Sequence, residues 1–255
     1  MKIRILGCSG GIGGRDLRTT SMLVDQDVLV DAGTGVGELS IEELTQIDHL
    51  FLTHTHLDHI ACLPLIVDTV GDLRDKPMIV HATEEVIGIL REHVFNWKVW
   101  PDFSQIPSTD KPFLRFQPLQ VGQPVKIGLR SFTALPASHT VPAVGYLIDS
   151  GSASLAFSGD TAACPEQWSA INAAKNLSIL IYECAFSNKE AALAEASKHL
   201  CPATLAEQLK NLRIKTELFI THLKPGESEQ TMSEIQKSIG EFNPKMLQNN
   251  HVFEL

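Results

Sequence analysis

Four side chains able to coordinate a cation, His54, His56, Asp58 and His59, fall within six positions of one another, after the apolar run His49–Leu52 and ahead of a helical pattern. In an extended segment residues i and i+2 face the same way, so His54 and His56 address one point. Asp58 and His59 emerge at a helix start and address a neighbouring point. That arrangement suits two adjacent metal ions. One isolated His would be better explained as part of a solvated turn, but HxHxDH behind a buried strand is not. These four residues alone make an incomplete centre, so further ligands are expected where other apolar strands end. His139 follows Leu135-Pro-Ala-Ser, Asp160 ends Leu155-Ala-Phe-Ser-Gly-Asp, His222 ends Leu218-Phe-Ile-Thr-His, and Asp31 ends Val28-Leu-Val-Asp. A core strand gains nothing by ending in an unpaired ionisable group, so the four together favour function over packing.

The rest of the chain supplies a scaffold. Short apolar runs at Ile3–Leu6, Ser21–Val24, Val28–Val30, His49–Thr53, Met78–His81, Gly145–Ile148, Ser154–Ser158, Ser178–Tyr182 and Glu217–Thr221 read as strands. Helical patterns fall at Leu57–Val70, Glu84–Phe95, Pro165–Ala174, Lys189–Ala196, Pro202–Asn211 and Ser228–Ser238. Several strands precede the first long helix, which fits a mixed-sheet, layered α/β domain better than a regular βαβ array. The Pro-bearing stretch Lys98–Gln123 reads as a long surface excursion. At 255 residues, with no linker and no low-complexity tract, residues 1–255 are expected to form a single domain.

Composition narrows the partners. Lys plus Arg number 21 against 30 Asp plus Glu, a formal net charge of −9, and the basic residues are scattered, so no long nucleic acid is expected as a partner. No apolar stretch approaches the roughly 20 residues that cross a bilayer, and the N-terminus reads as a strand and not a secretory signal, so no membrane partner is expected. Five Cys form no CxxC and no even framework, which argues against disulfides and a zinc-thiolate site and makes the cytoplasm the expected compartment. The pattern leaves a homodimer open.

In order, Asp31, the HxHxDH segment His54–His59, His139, Asp160 and His222 resemble the metallo-β-lactamase superfamily over most of the chain. The resemblance implies an αββα four-layer sandwich of two mixed β-sheets with a dinuclear metal site at one edge. It implies that His54, His56 and His139 hold a first metal, that Asp58, His59 and His222 hold a second, that Asp160 bridges both, and that Asp31 orients a ligating His. Imidazoles and carboxylates without thiolate favour two zinc ions, with manganese or iron(II) as alternatives. Cys164, four residues past Asp160, is better explained as a small buried filler than as a ligand.

The superfamily contains many activities, so side motifs must choose the branch. The Gly-rich segment Gly7–Gly14, followed by Arg18-Thr19-Thr20-Ser21, can bring backbone N–H groups near an anion, and makes Thr20 a candidate substrate contact. HxHLDH, Glu183-Cys-Ala-Phe, His199-Leu-Cys-Pro, Ile220-Thr-His-Leu-Lys-Pro and the aromatic segment His93–Phe103 together are similar to class II cyclic-nucleotide phosphodiesterases. One departure is Cys201, where that family more often has Ser before Pro. The resemblance implies hydrolysis of 3′,5′-cyclic nucleotides, cAMP or cGMP, to 5′-nucleotides through a water activated between the metals. Asp58, His199 and Glu183 are the catalytic candidates, His199 touching the phosphate or protonating the leaving oxygen while Glu183 holds its ring. Trp100 and Phe103 could stack a purine, although such rings more often cap a core under a loop. Ribonuclease Z shares the Gly-rich loop and the Glu/His pair but usually adds a tRNA-clamping arm, which this sequence lacks. A metal- or nucleotide-binding sensor without turnover is the alternative of another class.

Overall fold

In the computed structural model, residues 1–14 and 16–255 are described. They form two seven-stranded mixed sheets packed face to face, with helices on both outer faces. The strands of the first sheet are β1 (Lys2–Gly7), β2 (Ser21–Val24), β3 (Val28–Val30), β4 (His49–Phe51), β5 (Met78–Ala82) and β6 (Leu114–Pro118). The second contains β7 (Pro124–Ile127), β8 (Arg130–Pro136), β9 (Val144–Asp149), β10 (Ser154–Phe157), β11 (Leu177–Glu183), β12 (Glu217–Thr221) and β13 (Lys245–Met246), and β14 (Val252–Glu254) returns to pair with β1. The helices are α1 (Ile41–Thr45), α2 (Leu57–Ile60), α3 (Leu63–Val70), α4 (Glu84–His93), α5 (Pro165–Ala173), α6 (Ala191–Ser197), α7 (Pro202–Leu209) and α8 (Ser228–Ile239).

Alternation along the strands sets the layers. In β11, Ile179 and Ile181 point into the space between the sheets, where they join Ile3, Ile5, Val30, Phe132 and Tyr146, whereas Leu180 and Tyr182 pack outward against Trp168, Leu205 and Ile235 of the helices. On the far side Leu29, Leu50 and Val80 meet Leu63, Val67, Val86 and Leu90. Two sheets, each apolar on both faces, therefore cover each other on the inside and need a helical cover on each outer face. This is the four-layer sandwich expected from the sequence.

Both sheets change from antiparallel to parallel pairing partway across. β3, β4, β5 and β6 run parallel in one sheet and β10, β11, β12 and β13 in the other. Parallel strands collect their carboxyl ends on one edge, where loop residues from many parts of the chain can meet.

Three expectations need correction. The helix expected over Leu57–Val70 is broken into α2 and α3, because Pro64 lacks an amide hydrogen and fits only in the first turn of the second piece. Lys98–Gln123 is not merely a surface excursion. It contains β6, and it buries Phe103 and Leu114 in the outer core. β6 and β7 are the outermost strands of their sheets and carry Pro118 and Pro124 at the ends facing that connection, the placement at which proline costs a sheet least. Strands β8, β13 and β14 were also missing from the sequence reading. No helix among the described residues is long and apolar enough to cross a membrane.

One imidazole pair lies apart from the metal-ligand candidates. His81 is buried against the face of Phe51, with ring centroids 4.3 Å apart, and its Nε2 lies 3.0 Å from Nδ1 of His49, the latter facing Asp27 and Asp48. Burial, aided by the charge of His49, lowers the His81 pKa to about 4. The folded state therefore holds His81 neutral, while the unfolded chain takes up a proton below its ordinary value near 6.5. Its contribution to stability is present above that value and is lost as pH falls toward 4, by about 3 kcal/mol at most. Urea unfolding at several pH values should show a shallower loss of stability across this window for His81→Leu than for the parent protein.

Candidate dinuclear metal centre

The strand ends at the shared edge carry the titratable residues. Asp31 follows β3 in a left-handed conformation, φ 57°, and is fully buried. Its carboxylate accepts the Thr53 backbone N–H and hydroxyl, both at 2.8 Å, and Nδ1–H of His59 at 2.7 Å. That last bond fixes the ring so that Nε2 of His59 faces the cluster. Gly33, two residues on, permits a close passage beneath α2, since a Cβ there would collide with the Asp58 carbonyl. Thr53 also meets Nδ1 of His54 at 3.0 Å, leaving Nε2 of His54 inward.

From the second sheet, Asp160 follows β10 behind Gly159, whose φ of 62° lets the chain turn into the centre. One Asp160 oxygen lies 3.6 Å from His54 Nε2, 3.3 Å from His59 Nε2 and 4.0 Å from His139 Nε2, and the other lies 3.4 Å from His222 Nδ1. His139 donates Nδ1–H to the Lys198 carbonyl at 3.1 Å, which turns its Nε2 toward His56 Nδ1, 3.1 Å away. His222 has φ 64° at the end of β12 and lies 3.7 Å from Asp58. Positive φ at Asp31 and at His222 is backbone strain located at this edge.

Two groups result, His54, His56, His139 and Asp160, and Asp58, His59, Asp160 and His222, with the potential ligand atoms of each within 4.8 Å of one another. Asp160 belongs to both. Nε2 of His54, Nε2 of His59 and both ring nitrogens of His222 are buried without a hydrogen-bond partner. Orphaned ring nitrogens are costly unless something electron-poor completes them, so the donor set fits two divalent cations. Protonation agrees with this fit at His54, His139 and His222, whereas burial at His59 is outweighed by Asp160 and Asp31, which raise it well above the ordinary imidazole value, a proton that a bound cation would displace. Burial holds His54 well below the ordinary imidazole value and lowers His139 to about 4 and His222 to about 3, so these rings are neutral and their lone pairs free at neutral pH. Burial would raise Asp160, but the facing His222 and His59 outweigh it and hold the carboxylate well below its usual range.

Beside both groups stands the pair named from sequence. His199 Nδ1 lies 2.8 Å from Oε1 of the fully buried Glu183, which also accepts the Thr161 and Leu200 amides. The His199 ring lies 4.9 Å from that of His139 and 5.0 Å from that of His222, so it borders one member of each group. Burial drives its pKa down, but the Glu183 carboxylate more than compensates and the net shift is upward.

The proposed substrate contacts fare differently. Phe103 is only 3% exposed and packs against Phe95 and Phe113 in the outer core, so its ring faces are not available to stack a base. Trp100 packs partly buried on the same cluster. Thr20 is buried, and its carbonyl accepts the Gly33 N–H at 2.9 Å, which helps shape the turn after Asp31. The sequence reading missed Thr53 and Lys198. Thr53 was visible as the residue preceding the first His, but nothing in its pattern announced that one hydroxyl would serve Asp31 and His54. Lys198 acts through its backbone carbonyl, which carries no side-chain signature.

Fold and site agree in kind, and the chain belongs to the beta-lactamase superfamily, whose domain model matches residues 26–223. Among curated relatives it is 28% identical to a probable 3′,5′-cyclic-nucleotide phosphodiesterase of Yersinia pestis over 208 residues, 70% of this chain and 57% of that protein. It is 26% identical to the ribonuclease Z of Haloarcula marismortui over 156 residues, 58% of this chain and 47% of that one. The chain thus spans about half the length of these relatives. Unliganded yeast PDE1 has the same fold, with a TM-score of 0.83, 18% identity and coverage of 100% of this chain and 99% of that one.

Because Asp160 is shared, Asp160→Ala should deplete metal from both groups and not from one alone. Metal analysis of protein reconstituted with zinc should give about one equivalent or less for the variant, against about two for the parent.

Proposed function

We propose that the chain is a single hydrolase domain, residues 1–255, that holds two zinc ions and hydrolyses 3′,5′-cyclic nucleotides to 5′-nucleotides. The observation that carries this reading is the position of the Glu183–His199 pair, bordering one imidazole from each ligand group. When bound, the cations supply Lewis acidity toward phosphoryl oxygens and an activated water nucleophile. His54, His56 and His139 would hold one ion and Asp58, His59 and His222 the other, with Asp160 shared.

The chain's own residues do the proton work. Glu183 accepts Nδ1–H of His199 and so fixes the ring with Nε2 directed away from the carboxylate. The upward shift that Glu183 gives His199 favours the protonated ring, whose Nε2–H would transfer to the departing 3′ oxygen, a contribution typically about 10²- to 10⁴-fold. Asp31, through His59, and Lys198, through His139, hold ligand rings in the tautomers that face inward. Buried Thr161 and Leu200 amides keep Glu183 from rotating away.

Relatives named cyclic-nucleotide phosphodiesterase and ribonuclease Z share the phosphodiester bond as target, so substrate size separates the readings. The acidic balance of 30 carboxylates against 21 basic residues supports a small substrate over a long RNA. Zinc-loaded protein should turn over cAMP or cGMP, and a panel that includes bis(p-nitrophenyl) phosphate, a 3′-extended tRNA and a thioester decides the matter. Cleavage of the tRNA with cyclic nucleotides untouched would replace this reading with tRNA processing.

His199→Ala should keep its metal and lose roughly 10²-fold or more in kcat. Glu183→Gln removes the charge that raises the His199 pKa, so the alkaline limb of the pH–rate profile, where the acid loses its proton, should move to lower pH. Cyclic-nucleotide hydrolysis at the parent rate by His199→Ala removes the assigned role.

A further inference from the structure

Lys224 lies two residues beyond His222 and is not needed to complete either ligand group. Its Nζ donates to the Gly10 carbonyl at 2.7 Å, and its backbone N–H donates to the Ala185 carbonyl at 3.1 Å. Gly10 in turn donates its own N–H to the Leu223 carbonyl at 3.1 Å. Gly10 rests directly on His222, for a Cβ at that position would collide with the His222 carbonyl and lie 3.0 Å from its ring edge. On its other side the Lys224 ammonium lies 5.7 Å from the centroid of the Phe186 ring, which meets the His199 ring edge-on at 5.8 Å. The ammonium is therefore bracketed between a residue that touches His222 and a ring that touches His199, on the rim of the centre.

Chemistry favours a ligand there over a purely structural tether. An ammonium carries three N–H donors, and here one is directed to a neutral carbonyl and the aromatic face contributes only a diffuse attraction. Among the described residues its partner is a carbonyl and not a carboxylate, so the positive charge is left uncompensated. The Gly-rich segment that supplies this carbonyl was noted in the sequence only for its backbone amides. Its use here is different, because it presents a carbonyl that aims a lysine.

We propose that Lys224 binds a non-bridging phosphoryl oxygen of the substrate, with the Gly10 carbonyl and the Phe186 ring orienting its ammonium beside the Glu183–His199 pair. This rests on the phosphodiesterase reading above. The substrate class it implies is a phosphate diester whose anionic oxygen reaches the Gly-loop side of the centre. Lys224 thereby anchors the ground state, and His199 acts on the leaving group.

The test uses Lys224→Gln, which can keep the hydrogen bond to Gly10 while removing the charge, alongside Lys224→Arg, which keeps the charge. In zinc-loaded protein, Lys224→Gln should raise KM for bis(p-nitrophenyl) phosphate about 10- to 100-fold, with kcat altered less, and with metal content and melting temperature unchanged. Lys224→Arg should restore most of the loss, and the salt dependence of KM should weaken only in the Gln variant. Calorimetric titration with inorganic phosphate provides an arm independent of turnover, in which the Gln variant should bind at least tenfold more weakly. An active parent with the same KM and phosphate affinity in Lys224→Gln overturns the inference, as does a loss that Arg does not restore or that accompanies loss of metal. A parent inactive on every diester whose phosphate affinity still falls in Lys224→Gln sinks the phosphodiesterase reading and leaves the oxyanion subsite standing.

Discussion

A carboxylate sealed from water on the edge where two sheets meet sets the terms for everything around it. Isolated burial would force Asp160 to protonate, and it stays ionised because four imidazoles from three separate segments face its two oxygens. Burial holds His54, His139 and His222 toward the neutral form, whereas burial at His59 is outweighed by Asp160 and Asp31, which raise it well above the ordinary imidazole value, so the anion faces three neutral rings and one that retains its proton. The cluster is thus a set of imidazole and carboxylate donors assembled ahead of any ligand. Such preorganisation moves the cost of ordering the donors from the moment of binding to the moment of folding, where the large apolar layers offset it.

The supporting contacts follow the same logic one step out. Asp31 fixes His59, the Lys198 carbonyl fixes His139, and Glu183 fixes His199. Each of these three imidazoles has Nδ1 occupied by the protein, so Nε2 is the nitrogen left for the centre. The anchors differ in kind because their surroundings differ. A fully buried carboxylate behind His59 can be tolerated because Thr53 gives it two more donors, whereas a main-chain carbonyl suffices behind the less enclosed His139.

The centre was legible in the sequence because its ligands announce themselves twice, by residue type and by position after an apolar run. HxHxDH, Asp160 and His222 all satisfy both conditions, and the parallel-strand architecture explains why strand ends far apart in sequence become neighbours. The supporting shell was only half legible. Asp31 ended a strand and could be named, but Lys198 contributes a backbone oxygen, which every residue possesses. The aromatic segment misled in part because a ring that can stack on a base has the same composition as a ring that fills a core, and only burial separates Phe103 from a binding platform. Strands β6 and β7 escaped notice because proline punctuation in mid-chain signals a loop, while at a sheet margin it is compatible with a strand. His81 shows the reverse problem, an imidazole within a strand that packs on Phe51 and takes no part in the centre.

Neither ligand group is contained in one half of the molecule. His54 and His56 come from the connection after β4 of the first sheet, and they meet His139 and Asp160 from connections after β8 and β10 of the second. Asp58 and His59 likewise come from the first half and meet Asp160 and His222 from the second. A cation in either position would therefore tie the two sheets together across their shared edge, adding its binding free energy to the contact made by the inter-sheet core of Phe51, Phe132 and Tyr146. The Glu183–His199 pair stands at this junction, with the His199 ring beside those of His139 and His222. Glu183 and His199 belong to the second half, but the two ions whose substrate they would serve need both halves. Docking of the sheets, enclosure of Asp160 and assembly of the two ligand groups beside the Glu183–His199 pair are consequently tied to one another.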